Sequence, residues 1–141
     1  MRPGRLVLQA FGPYAGREEV ELDRLPRDAL FLLHGTTGSG KTSVLDGICY
    51  ALYGDTSGAE RQGADMRSDL ASPDLQTEVQ LDFSIGEKRY RVVRRPQQER
   101  PKKRGEGTTI QKPEATLWQL GGGEGADEAT VLADGERDTV A

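Results

Sequence analysis

The residues with the clearest chemical potential lie between Gly35 and Thr42, in the order Gly-Thr-Thr-Gly-Ser-Gly-Lys-Thr. A glycine, four residues and then Gly-Lys-Ser/Thr is the spacing of a loop that cradles phosphate. Glycines at 35, 38 and 40 let the backbone take conformations closed to other residues and approach a phosphate without a Cβ in the way. The loop's N–H groups would form an anion-binding concavity at a helix N-terminus, where the dipole also favours negative charge. Lys41 would set its ammonium against the β and γ phosphates. Thr42 would offer its hydroxyl to Mg²⁺, a hard cation that keeps several waters and takes few protein ligands.

Such a loop must be carried by a strand before it and a helix after it. Ala29-Leu30-Phe31-Leu32-Leu33 is a continuous apolar run, the pattern of a strand covered on both faces. Downstream, Val44, Leu45, Ile48, Ala51 and Leu52 recur at helical spacing, and Gly54 follows as a stop. The spacing predicts a helix over 41–53. His34, directly before the loop, has no acid partner in the sequence and is expected to pack at the strand end.

The 141 residues suffice for one domain with a core, but a hydrophobic content of 35% and 18 glycines imply segments outside it. The longest uninterrupted apolar run, Ile48 to Tyr53, has six residues, which excludes a membrane-spanning helix, and no secretory apolar segment follows Met1. Cys49 is the single cysteine, so neither an internal disulfide nor a cysteine-based zinc site can form. Its place in the helix suggests a small buried thiol. A cytoplasmic location is expected.

The remaining chain reads as antiparallel. Leu6, Leu8 and Ala10 alternate in an early strand that stops at Phe11-Gly12-Pro13, and Arg17 to Leu22 returns with Val20 and Leu22 on one face. From Gly54 to Gln76 the sequence is polar, a loop with room for one short helical turn. It holds Arg61 and Arg67, which could be solvated or could meet phosphate. Thr77 to Ile85 has mostly apolar odd positions and polar even ones, Gly86-Glu87 makes a two-residue turn, and Lys88 to Arg95 returns with Tyr90 and Val92 on one face. Ala115 to Leu120 adds a third strand. Between them, Pro96 to Pro113 shows neither period and is expected to be a mobile loop. Residues 88–104 hold nine basic residues against one acid, whereas 105–141 hold eight acids against two bases. That asymmetry suits either contact with a nucleic-acid backbone or a solvated charged hairpin. Leu120-Gly121-Gly122-Gly123-Glu124 lacks the serine of a Leu-Ser-Gly-Gly nucleotide signature and reads as a surface loop.

Met1-Arg2-Pro3, Gln9 to Tyr14, His34 to Thr42, Leu45 to Gly54 and the stretch Arg95 to Glu114 together resemble the N-terminal ATPase lobe of the SbcC family. These are bacterial ATPase subunits of a DNA double-strand-break nuclease, related to SMC proteins. The resemblance covers nearly the whole chain. It implies an α/β, P-loop NTPase fold of the ABC/SMC head type, here an incomplete N-terminal lobe over 1–141 with an antiparallel β-meander and a flexible basic insertion at 96–113. It further implies ATP and Mg²⁺ as cofactors. Gly35, Thr36, Thr37, Gly38, Ser39, Gly40, Lys41, Thr42 and Ser43 would bind the nucleotide, Lys41 being catalytic and Thr42 the metal ligand. Implied partners are the C-terminal lobe of the same ATPase, a second head, the SbcD nuclease and DNA.

The sequence departs from the family pattern in what it omits. It contains no signature motif, no coiled-coil heptads, no Cys-x-x-Cys hook and no apolar run ending in Asp-Glu, the source of the acids that orient Mg²⁺ and activate water. A fragment that binds ATP without turning it over is therefore expected. Two other readings remain open: a self-sufficient small P-loop kinase or NTPase, and a non-enzymatic nucleic-acid-binding piece.

Overall fold

The computed structural model describes residues 1–25, 32–57, 63–102, 106–121 and 129–135. Alternation builds a six-stranded, wholly antiparallel sheet from β1 (Arg2–Phe11), β2 (Tyr14–Glu21), β3 (Glu78–Ile85), β4 (Lys88–Arg95), β7 (Glu114–Leu120) and β8 (Ala129–Gly135). Their spatial order is β2-β1-β3-β4-β7-β8. The helix α1 spans Lys41–Tyr53, as its periodicity predicts, and ends at Gly54, whose N–H bonds the Tyr50 carbonyl at 2.8 Å. A 3-10 turn covers Gly63–Met66.

One face of the sheet packs on α1. Leu6, Leu8, Val79, Leu81 and Val92 point to that face and bury against Val44, Tyr50 and Ala51 of the helix, joined by Phe11 and Met66. The helix lies close to β1, since a Cβ on Gly47 would come within 2.5 Å of Leu8 Cδ2. Leu45 is 57% exposed, so the buried stripe runs through Gly47 and Tyr50 instead of Leu45.

The opposite face carries two cross-strand rows of charge. In one row Arg5 pairs with Glu19, while Arg91 grips Asp82 with two bonds of 2.7 Å. In the other, Arg17, Glu78, Arg95 and Glu114 alternate in sign, linked at 3.4, 2.6 and 3.1 Å. Directly opposed unlike charges are the sheet's counterpart of helical i,i+4 pairs.

Two expectations change. The 96–113 stretch, expected to be a mobile loop, contains β5 (Gln98–Pro101) paired antiparallel with β6 (Thr108–Gln111) in a separate ribbon. Side-chain chemistry holds it: the Gln98 amide accepts from the Thr77 N–H at 2.6 Å and donates to the Thr77 carbonyl at 3.0 Å, replacing a backbone neighbour. The strand expected over Ala29 to Leu33 does not include Leu32 or Leu33. Residues 29–31 lie outside the described residues, and Leu32 and Leu33 are 83% and 47% exposed and outside any strand. Leu32 and Leu33 pair with none of the six strands, and a strand covered on both faces would bury such side chains.

Candidate phosphate-binding site

The site is built at the start of α1. Gly40 is the N-cap at φ 90°, a conformation that favours glycine, and no side chain caps the helix. The first turn holds no acidic residue. The N–H groups at the start of a helix have no partners within it, and here no side chain supplies one. The Lys41 ammonium folds back over the loop and donates to the carbonyls of Gly35 at 3.0 Å and Thr36 at 2.8 Å. Thr36, Thr37, Gly38, Ser39 and Thr42 are exposed, and Lys41 is half-buried. Ser43 is buried, with its hydroxyl against the Cα of Gly12, where an added Cβ would lie 2.9 Å from it.

The glycines differ in their reasons. Gly38 and Gly40 have φ of 84° and 90°, as the motif suggests, whereas Gly35 is not in the left-handed region. A Cβ on Gly35 would meet Ser39 Oγ at 2.8 Å, a contact that the exposed serine relieves by turning its hydroxyl.

The β1–β2 turn, expected only as a turn, also forms a wall of the site. Gly12 donates its N–H to the Met66 carbonyl at 2.7 Å, and Tyr14 donates its hydroxyl to the Gly40 carbonyl at 3.1 Å. Across a cleft of about 590 Å³ from Gly12, Gly38, Lys41 and Thr42 stand Asp65, Arg67 and Asp69. The residues present fit a polyphosphate: an uncapped helix start, an ammonium beside it, and close backbone approach. Among the described residues no cluster of three or more His, Cys, Asp or Glu side chains could hold a metal alone. A Mg²⁺ ion at Thr42 would therefore share its coordination with phosphate oxygens and water.

Other candidate residues are placed differently. Arg67 commits its guanidinium to the segment behind it, donating to the carbonyls of Ser72 (2.9 Å) and Leu75 (2.7 Å) and to Thr77 Oγ1 (3.1 Å). Arg61 lies outside the described residues. His34 is exposed, not packed as expected, and Leu32 and Leu33 before it lie outside any strand. Cys49 is only half-buried.

The basic run at 88–104 is also divided by strand geometry. Arg91 and Arg95 turn to the charged face and pair with acids, while Arg94 turns inward. Arg94 is 1% exposed and donates to the carbonyls of Ala51 at 2.8 Å and Leu52 at 3.2 Å, at the end of α1. The helix has no basic residue in its own last turn. Periodicity along one strand carries no signal for a cap borrowed from another element.

A phosphate loop opening a helix on a sheet defines the P-loop NTPase class. Residues 5–126 match the family described as AAA domain, and the chain belongs to that family. In particular, it is 56% identical over 120 residues to the SbcC subunit of the nuclease SbcCD from Vibrio cholerae, covering 85% of this chain and 12% of that protein. It is 40% identical over 117 residues to the protein of the same name from Lactococcus lactis, covering 83% and 11%, and 38% identical over 94 residues to that of Staphylococcus haemolyticus, covering 67% and 9%. The chain thus spans about an eighth of the length of the first of these relatives. Among the described residues no helix is long and apolar enough to cross a membrane.

Proposed function

We propose that the chain is the ATP-binding part of an SbcC-like ATPase head of the ABC/SMC type, acting in DNA double-strand-break processing. The observation that carries the reading is the pairing of an uncapped α1 N-terminus with the Lys41 ammonium over the loop. Gly35 to Ser43 would hold ATP. Lys41 would exchange its loop carbonyls for the β and γ phosphates and stabilise the charge that develops on phosphoryl transfer. Thr42 would hold Mg²⁺, which supplies neutralisation of the phosphate oxygens when bound.

Turnover needs acids that none of these 141 residues supplies in the required pattern. The C-terminal lobe and a second head would bring them, and the exposed Leu32, Leu33 and Leu45 give such a lobe apolar surface to cover. SbcD and DNA are the further partners this reading assigns. Arg91, Arg94 and Arg95 are committed within the fold, so Lys88, Arg89 and Lys102 are the exposed cations of the basic run, among the described residues, that remain for DNA phosphates. A self-sufficient kinase is disfavoured by the antiparallel meander that follows α1, where a kinase places parallel strands.

Isothermal titration with ATP·Mg²⁺ tests the reading. Wild type should bind without turnover, and Lys41→Ala should weaken binding by about tenfold or more, the loss of charge-assisted hydrogen bonds. Equal affinity in the two proteins refutes it, as does rapid phosphotransfer by the single chain.

A further inference from the structure

Tyr14 opens β2 and faces Phe11 across the turn made by Gly12 and Pro13. Its ring lies over the N-cap of α1: a Cβ added to Gly40 would come within 2.7 Å of Tyr14 Cζ and 3.0 Å of Pro13 Cγ. The Gly40 carbonyl thereby has two donors, the Tyr14 hydroxyl at 3.1 Å and the Val44 N–H at 3.1 Å. A peptide unit is planar and trans, so the Lys41 N–H points opposite to the Gly40 carbonyl. Fixing that carbonyl from two sides fixes the direction of the N–H as well. The direction is outward from the helix start, the end of α1 where Gly38, Lys41 and Thr42 line the cleft.

We propose that Tyr14 is a positioning residue for the phosphate loop, its hydroxyl holding the Gly40–Lys41 peptide so that the Lys41 N–H is aimed at a bound phosphate. The assignment rests on the nucleotide-binding reading above and adds to it a residue outside the glycine motif. Burial, with Glu18 nearby, holds the Tyr14 phenol above its ordinary pKa of 10.0, so it remains a donor at neutral pH. The tyrosine touches the loop through a carbonyl, so its effect should follow the phosphates and ignore the base.

The test compares wild type, Tyr14→Phe and Lys41→Ala in the longest form of the protein its gene encodes, titrated with ATP·Mg²⁺ and separately with tripolyphosphate·Mg²⁺. Tyr14→Phe keeps the ring and removes only the hydroxyl. It should weaken both ligands by the same factor, about threefold to tenfold, because ordering the Gly40–Lys41 peptide then falls to the binding step, and it should lower the urea midpoint of the free protein by no more than the loss of one hydrogen bond. Unchanged affinity for both ligands overturns the proposal. Loss confined to ATP overturns it too, since that outcome marks a contact with the base. If wild type and Lys41→Ala bind tripolyphosphate equally, the nucleotide reading fails and this inference with it; a failure in Tyr14→Phe alone leaves that reading standing.

Discussion

Replacing Arg94 by methionine probes how α1 is held on the sheet, and its effect can be worked from the two carbonyls that the guanidinium serves. Ala51 is fully buried, so its carbonyl would lose its donor where water cannot replace it, at a cost of about 1–3 kcal/mol. Leu52 is half-buried, and water can partly serve its carbonyl, which lowers that loss to about 1 kcal/mol. The methionine stem fills much of the space of the arginine stem, so no large cavity adds to the sum. The expected destabilisation is therefore about 2–4 kcal/mol, a substantial fraction of the ~5–15 kcal/mol that holds a domain together. Urea unfolding measures it as a lowered midpoint at unchanged slope. Amide exchange should show the loss first at Gly54, whose N–H closes the last turn. A midpoint that is unchanged or raised would refute the reasoning. It would mean that desolvating the guanidinium costs as much as its hydrogen bonds return, as happens for some buried ion pairs replaced by apolar residues.

Two further outcomes follow from the charged face and the ribbon. The Glu19 carboxyl is held below its ordinary value of 4.5 by the hydrogen bond from Arg5. A lowered folded pKa adds stability above the unfolded value and loses it as pH falls through the folded value. Glu19→Gln should thus be less stable than wild type near neutrality, with the difference closing below about pH 4.5 and shrinking in high salt. Unfolding midpoints measured from pH 7 to pH 3 would show parallel curves if the pair contributed nothing. Gln98→Ala removes the side chain that serves both backbone groups of fully buried Thr77, and should cost about 2–4 kcal/mol by urea unfolding while speeding exchange of the Thr77 amide. Unchanged exchange at Thr77 would show that the ribbon is held by other contacts.

Local pattern was enough for the parts of this protein whose structure is decided locally. The 41–53 helix follows from its periodicity and from Gly54. The hairpin of β3 and β4 follows from the alternation before the two-residue turn Gly86-Glu87. β8 escaped because Ala129 to Gly135 has no clear alternation and is placed by pairing with β7 across a bulge. The β5–β6 ribbon escaped because three prolines between 96 and 113 and many charges mask its period, and its anchor is the side chain of Gln98 reaching Thr77, 21 positions away.

The sequence by itself determined that a glycine-rich loop with one lysine, Gly35 to Thr42, opens α1, since backbone freedom and one cation are properties of residue type and spacing. Only the tertiary structure decided what surrounds it. It brought Tyr14 onto Gly40 over 26 positions, turned Arg67 toward the 72–77 segment, and split one basic run between a charged face and a buried helix cap. The physical reason is that a hydrogen bond's partner is chosen by distance in space, and one strand's alternation says which face a side chain takes but not what waits there.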